Sequence, residues 1–547
     1  MDKYLDEERH FAGARTGRTQ PVITCDGKGV VSHAGTVLLA ELADRIGLTA
    51  ALSEATDGLR ERRAGHDPAR VLVDVAVAIS DGAVTISDVQ TLADQQGLHG
   101  PAGSVASTPT IWRVLDAVAN TPGMLAKIRL ARAEARDRAW LARGELTGAE
   151  LPGSRAAGKT VRKVVIDLDA TLVTAHSDKE GARGNFKGGF GYHPLGAWLD
   201  NTGEALAALL RPGNAGSNTA TDHLTVVDWA LSQLPDRWRG KPILIRADGA
   251  GYSHALIAAL SQQGLEFSVG YPVTEAVRDA IKKVPKWAWQ IACNADGLLR
   301  EHADVVDITN MLDLSRWSST CPDMRVIVRR ELPHPGATLD AFEIPDGYRY
   351  QAFTTNTRTG QLAFLEARHR AHARVEDRIC TGKDTGLGHL PSRHQNINEV
   401  WTELALIAEC ALPVEAHTRP WSLGRGGQAR AEGDEGQGED LTHLGDDPRA
   451  FDQVGAHANG EDAVDGEHHE RHRHEDRAER QQVCQRAADP RGTNWGKKAK
   501  RKIVSFGFSR LTSTAEVITW REERGAASVE IVSAPRSRQV APAIYSR

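Results

Sequence analysis

Three acidic side chains in this 547-residue chain fall where carboxylates can share one site. Two apolar runs each end in an aspartate: Val164-Val165-Ile166 leads into Asp167-Leu168-Asp169, and Ile243-Leu244-Ile245 into Arg246-Ala247-Asp248. Carboxylates at the carboxyl ends of neighbouring strands face one another and repel unless a cation lies between them, so Mg²⁺ or Mn²⁺ is the natural guest. The bland alternative is that each aspartate merely caps the turn after its strand. A third acid, Glu376, lies in the basic stretch HRAHARVEDRICTGKDTG among Arg370, Arg374, Arg378 and Lys383. Alone it reads as a partner in surface i, i+4 ion pairs. What singles it out is the order: two strand-end aspartates, a β-patterned interval, then a glutamate on a basic helix. Asp167 is expected on the opposite face of its strand from Asp169 and is set aside as a ligand.

The elements that must position these groups follow from periodicity. From residue 160 the chain reads strand, hairpin (two apolar runs around Asn201-Thr202-Gly203), helix, strand, helix, strand. Parallel strands need crossovers through helices, so 160–284 is expected to form an α/β sheet. Residues 285–362 carry short β-type runs and Trp287, Trp289 and Trp317, each expected to pack in the core. Residues 363–412 return to helix, with Ile397, Val400, Trp401, Leu404 and Ala408 forming one buried stripe. Ahead of the sheet, an irregular lead (1–30) precedes a helical domain over 31–150. Thr108 and Pro109 are expected as N-cap and first helical residue, opening a helix with Ile111, Leu115 and Val118 inward. That helix and one ending near Gly97 suggest a helix-turn-helix, with Arg113, Lys127, Arg129, Arg132, Arg136 and Arg138 towards DNA. From 413 to 547 the composition turns polar and low in complexity. The part to about 490, with so few large apolar residues, is expected to be disordered, while the end (KKAKRK, then SRLTSTAEVITW) partly recovers β-type residues without an assigned fold, and a reading-frame shift in a GC-rich gene would account for the abrupt break.

Composition bounds the rest. A net charge of −5 excludes bulk basicity, so any DNA contact must rest on local patches. The six cysteines include no C-x-x-C pair, which argues against a zinc cluster or disulfide framework. No run of about 18 apolar residues occurs, and the polar start lacks a signal-peptide core, so we expect a soluble, cytoplasmic protein without membrane partners.

Taken together, D-A-T at Asp169–Thr171, the stretch GYHPLGAWLDNTGEALAALLRPGNA, I-R-A-D-G at Ile245–Gly249 and HRAHARVEDRI…KDTGL resemble the DDE transposases of bacterial insertion sequences. The similarity is to insertion-sequence group 1380 within the broad group-4 type and spans about 30–412. The resemblance implies a ribonuclease-H-like core with a β-rich insertion between the second aspartate and the glutamate. It implies Asp169, Asp248 and Glu376 as ligands of two Mg²⁺ (or Mn²⁺) ions, double-stranded DNA as substrate (terminal inverted repeats and target), a homodimer in the DNA complex, and a bacterial protein at the nucleoid when bound. The family signature Y-x2-R-x3-E-x6-K is kept at Glu376 and Lys383, whereas His369 stands for the tyrosine and His372 for the arginine. Arg370, Arg374 and Lys383 are then expected at DNA phosphates, with Arg113 in the helical domain. Two rivals remain at this point. Asp167-Leu168-Asp169-Ala170-Thr171-Leu172 also fits the D-x-D-x-T motif of haloacid-dehalogenase-type phosphatases, in which Asp167 would be the nucleophile and Gly445-Asp446-Asp447 the late acidic motif. The other rival is a catalytically impaired DNA-binding regulator.

Overall fold

The computed structural model describes residues 33–410 except 34, 60–64, 102, 334–335 and 337, and the backbone alone of 22–24, 411–417, 514–523 and 526–535. Five principal helices come first: α1 (Thr36–Arg45), α2 (Leu48–Ala55), α3 (Pro68–Ser80), α4 (Thr108–Asn120) and α5 (Met124–Thr147). The most buried is α3, whose sequence PARVLVDVAVAIS is apolar on nearly every side. Asp67 caps it by accepting the Ala69 amide at 2.9 Å, and Pro68 opens the first turn. The helix expected to end near Gly97 is instead broken into short turns, Gln90–Ala93 and Gln96–His99. The cap of α4 falls on Ser107, one residue before the expected Thr108.

A nine-stranded mixed sheet follows. Its strands are β1 (Val164–Ala170), β2 (Leu195–Leu199), β3 (Ala205–Leu209), β4 (Ile243–Ala247), β5 (Glu266–Tyr271), β6 (Gln290–Cys293), β7 (Leu299–Asp307), β8 (Arg325–Glu331) and β9 (Arg349–Thr355). The spatial order is β6-β7-β8-β9-β5-β4-β1-β2-β3. β1, β4 and β5 are mutually parallel, joined through helices as their apolar runs require, while β2 and β3 form the antiparallel hairpin beside β1. The order 3-2-1-4-5 at this end is compatible with a ribonuclease-H-like core. The β-rich interval is not a separate sheet: β9 pairs antiparallel with β5, and β6 to β9 extend the central sheet by four strands.

Side-chain alternation divides the sheet into two faces. Val164, Ile166, Leu168, Ile245, Ala247, Phe267 and Val269 pack against α6 (Ala220–Ser232), α7 (His254–Gln262) and α8 (Glu275–Lys283). The opposite face carries Val165, Trp198, Leu244, Ile327 and Phe353 and meets α9 (Leu362–Arg370), α10 (Val375–Gly382) and α11 (Gln395–His417). The expected stripe on α11 is buried, but against the N-terminal helices: Ile397, Val400, Trp401, Leu404 and Ala408 share one core with Leu52, Leu72, Ile79, Ile111 and Leu115. Leu406, on another side of α11, packs on Trp198, Val375 and Ile379. One helix therefore ties the helical domain to the sheet.

Most of the tail read as disordered lies outside the described residues. Within it, Thr514–Glu523 and Ala526–Pro535 pair as an antiparallel hairpin, and Val22–Thr24 adds in parallel. The β-type residues of TAEVITW noted in the sequence, with those of SVEIV, explain a strand pattern there.

Candidate active site

Register brings the two strand-end aspartates together. Ala247 of β4 is paired with Leu168 of β1, so the next residues, Asp248 and Asp169, sit at the same level on adjacent parallel strands. Asp248 begins a tight turn and accepts the amides of Ala250 (2.9 Å) and Gly251 (3.3 Å). The capping role weighed from sequence is thus real, and it fixes the carboxylate rather than excluding a further role. The turn lies directly over β5: a Cβ on Gly270 would fall 2.4 Å from the Gly249 nitrogen, so only glycine fits beneath it. Glu376, exposed in the first turn of α10, comes from the helix layer on the same face.

Asp169 lies within electrostatic reach of the other two acids. Burial raises the Asp169 carboxyl to about 6, and the negative charges of Asp248 and Glu376 push the same way. His372 and the Ala170 amide (2.7 Å) oppose the rise without cancelling it. Among the described residues no three His, Cys, Asp or Glu side chains converge closely enough to enclose a metal ion. The donor set is nevertheless all hard carboxylate oxygen, and its excess negative charge suits Mg²⁺ or Mn²⁺.

Asp167 is not on the other face. Residues two apart on a strand point the same way, and Asp167 lies directly behind Asp169. What separates them is partners. Asp167 is fully buried and receives Arg246 through Nε (2.6 Å) and Nη2 (2.8 Å), with His372 Nδ1 at 3.0 Å. Arg246 also reaches Asp200 at 3.0 Å and the Arg368 carbonyl at 2.9 Å. Asp200 in turn holds Arg374 (Nε, 3.0 Å) and Arg378 (Nη2, 2.8 Å). Burial opposes the charge on both aspartates, but these cations hold both carboxyls below the ordinary carboxylate range. A carboxylate sealed in this way has no path to a substrate, which removes the phosphatase reading with Asp167 as nucleophile. Gly445, Asp446 and Asp447 lie outside the described residues.

The two histidines in the signature differ. His369 stacks on Phe353 (4.4 Å between centroids) and shares a hydrogen bond with Ser268. Burial lowers its pKa to about 3, so it is a neutral packing group. Burial also works against a charge on His372, but the hydrogen bond and charge of Asp167 outweigh it and raise its pKa. Its Nε2 is buried without a hydrogen-bond partner.

The expected phosphate-binding cations are placed unevenly. Arg370 is engaged with Glu366 (2.9 Å) and the Cys293 carbonyl, and Arg374 with Asp200 and the Arg155 carbonyl. Lys383 opens the turn after α10, and Arg113 lies exposed on α4. The basic run on α5 largely faces inward: Arg129 and Arg132 pair with Glu403, and Arg136 with Glu204 at 2.7 Å. Helical spacing put these arginines on α5 without revealing Glu204, just ahead of β3, or Glu403 on α11. Of the three tryptophans, Trp317 is buried as expected, Trp289 lies under Arg330 (4.2 Å), and Trp287 is 86% exposed. The residues that sequence reasoning missed are Arg246, Asp200 and Arg378. An arginine inside an apolar strand was the available signal, because such a residue is almost never buried unless paired.

The family model for the transposase DDE domain, group 1, matches residues 15–412, and so ends where the polar composition begins. No curated protein matches the chain. Among solved structures, a cryo-EM structure of the piggyBac transposase synaptic complex with hairpin DNA is similar at 10% identity and a TM-score of 0.35, covering 72% of this chain and 78% of that one. No described helix is long and apolar enough to cross a membrane.

Proposed function

We propose, for a chain that belongs to the DDE transposases of domain group 1, that it cleaves DNA at the ends of an insertion sequence of the group-1380 kind and joins those ends to target DNA. Asp169, Asp248 and Glu376 are the assigned ligands of two Mg²⁺ (or Mn²⁺) ions. The observation that carries this assignment is the β1–β4 register, which sets Asp169 and Asp248 side by side at the strand ends on the face that also carries the helix of Glu376. Ions held there would supply Lewis acidity at the scissile phosphate and ease deprotonation of water or a DNA 3′-hydroxyl.

The chain's own groups supply placement and charge. The Arg246–Asp167–His372 network behind Asp169 fixes its backdrop and brings a buried cation close without occupying its carboxylate. Arg374 and Arg378, anchored on Asp200, set the position of α10 and therefore of Glu376. Lys383 is assigned to a DNA phosphate near the reacting one, where a fixed cation offsets charge in the transition state. The helical domain, through Arg113, is assigned to the duplex further out, and two copies are expected to hold the two ends.

The test is cleavage of a labelled duplex carrying the element's terminal inverted repeat, with Mg²⁺ or Mn²⁺, by the wild type and by Asp248→Asn. Metal-dependent nicking at the repeat boundary should fall by at least about a thousandfold in the variant. Nicking that survives the substitution would overturn the assignment.

A further inference from the structure

We infer that the hairpin Arg183–Tyr192 is a pin for duplex DNA, which inserts Phe186 into the base stack beside the reactive phosphate and opens the element's end. The inference rests on the transposase reading above and adds to it a surface that the three carboxylates do not explain.

Position comes first. β1 delivers Asp169 at its carboxyl end and, three residues after Ala170, re-enters sheet structure at Val173–Thr174. That short strand pairs with Phe190–Tyr192, which pairs with Arg183–Gly184. The hairpin therefore projects from the strand end that carries the catalytic aspartate. The Thr171 amide donates to Pro194 at 3.0 Å and the Ala175 amide to Phe190 at 3.0 Å, so strand end and hairpin move as one piece.

Rigidity is built in. At the tip, Asn185 Oδ1 accepts the amides of Lys187 (3.0 Å) and Gly189 (3.1 Å), and the Asn185 amide donates to the Gly189 carbonyl (2.8 Å). At the base, Gly191 has φ 155° and packs so tightly on β-structure that a Cβ would lie 2.0 Å from the Val173 carbonyl oxygen. A preformed loop adds no ordering cost when it engages a ligand.

Chemistry completes the case. Single exposed apolar residues are ordinary on a protein surface. Here a locked turn carries Phe186, 74% exposed with its ring 5.9 Å from that of His193, and Phe190 is 39% exposed on the same hairpin. Lys187 Nζ lies 5.8 Å from the Phe186 ring centre, Arg183 is exposed nearby, and the segment 183–192 holds no acidic residue. An aromatic ring flanked by cations and free of carboxylates suits bases and phosphates together, whereas an apolar protein partner would need no cations.

The experiment uses the full chain and the repeat-end duplex with 2-aminopurine at the terminal positions, alongside the same duplex with its end base pairs mismatched. The wild type should raise 2-aminopurine fluorescence severalfold, as a base leaves the stack. Phe186→Ala, at a site exposed enough to leave folding intact, should lose that rise, cut the paired duplex about tenfold more slowly, and regain wild-type cutting to within about twofold on the mismatched duplex. Phe186→Trp should keep both signals. Asp248→Asn should unstack the base without cutting, which separates the pin from the catalytic assignment. If Phe186→Ala unstacks and cuts like the wild type, or is equally slow on the mismatched duplex, the pin is wrong while the transposase reading stands. If the wild type neither unstacks nor cuts the repeat end, both fall.

Discussion

Asp167 and Asp169 lie two residues apart on one strand and on one face, yet their chemistry is opposite. The first is fully buried and meets Arg246 and His372. The second receives one backbone amide and faces two further acids. The same residue type is held ionised below its ordinary range in one place and raised to about 6 in the other. Burial alone does not decide the outcome, since both carboxyls are largely shielded from water. What decides is how much positive charge is set against burial: Arg246 and His372 bond Asp167 directly, whereas at Asp169 the charge of His372 does not cancel burial and the nearby Asp248 and Glu376. A structural acid carries its counter-charge within the chain, whereas Asp169 is left short of one, which is what would favour a cation there if it is a ligand as proposed.

The sharpest way to break the comparison is to remove the counter-charge. Arg246→Met leaves Asp167 and Asp200 buried with only His372, Arg374 and Arg378 against them. Loss of one partner from a buried ion network should lower stability by about 3–5 kcal/mol. Denaturant unfolding would read it, and a change below the error of that measurement would mean that Arg246 is not what stabilises the two aspartates. The sign with pH is fixed as well. Both aspartates have lowered folded pKa values, so their contribution is present above the unfolded carboxylate range and lost as pH falls through their folded values.

The second test concerns the acid left without a counter-charge. With its pKa raised to about 6, Asp169 takes up a proton below that pH, and a proton competes with a cation for the same oxygens. Mn²⁺ affinity, read by calorimetry on the DNA-free protein, should be level above pH 7 and fall towards about tenfold per pH unit below 6. A flat profile down to pH 5 would mean that Asp169 is not a ligand, or that its carboxyl sits in the ordinary range.

How much of this was legible beforehand follows from the same physics. The β1 and β4 runs, their terminal aspartates and the helix of Glu376 were readable because apolar periodicity and strand-end acids are local signals. The partners were not, because Asp200, Arg246 and Arg378 meet only after three distant segments pack. The facing of Asp167 was readable from strand alternation and was nonetheless read the wrong way. The inward turn of Arg132 and Arg136 was hidden for another reason: a basic run looks the same whether its acids are phosphates or Glu204 and Glu403. Extension of the central sheet by β6 to β9 depends on the β5–β9 pairing, for which a single chain carries no marker.

Glu409 offers the finest test, because it lies between the two cases. It is 3% exposed on α11, accepts the Trp198 indole N–H at 2.9 Å, and senses Arg378 and Arg132 without a direct ion pair to either. Burial raises its carboxyl to about 8, and the indole and the arginines only reduce that rise. If proximity of a bonded cation is what separates Asp167 from Asp169, Glu409 must behave as the second kind despite two arginines in its neighbourhood. Its folded pKa lies above the unfolded carboxylate value, so its contribution to stability is full at acid pH and is lost as pH rises towards 8. Glu409→Gln keeps the shape and an acceptor for Trp198 but removes the charge. Measured by unfolding, the variant should then be little changed at pH 5 and stabilised by several kcal/mol, about 4, at pH 8.5. Destabilisation at both pH values would instead show that Arg378 and Arg132 hold Glu409 ionised, and that a cation need not touch a buried carboxylate to compensate it.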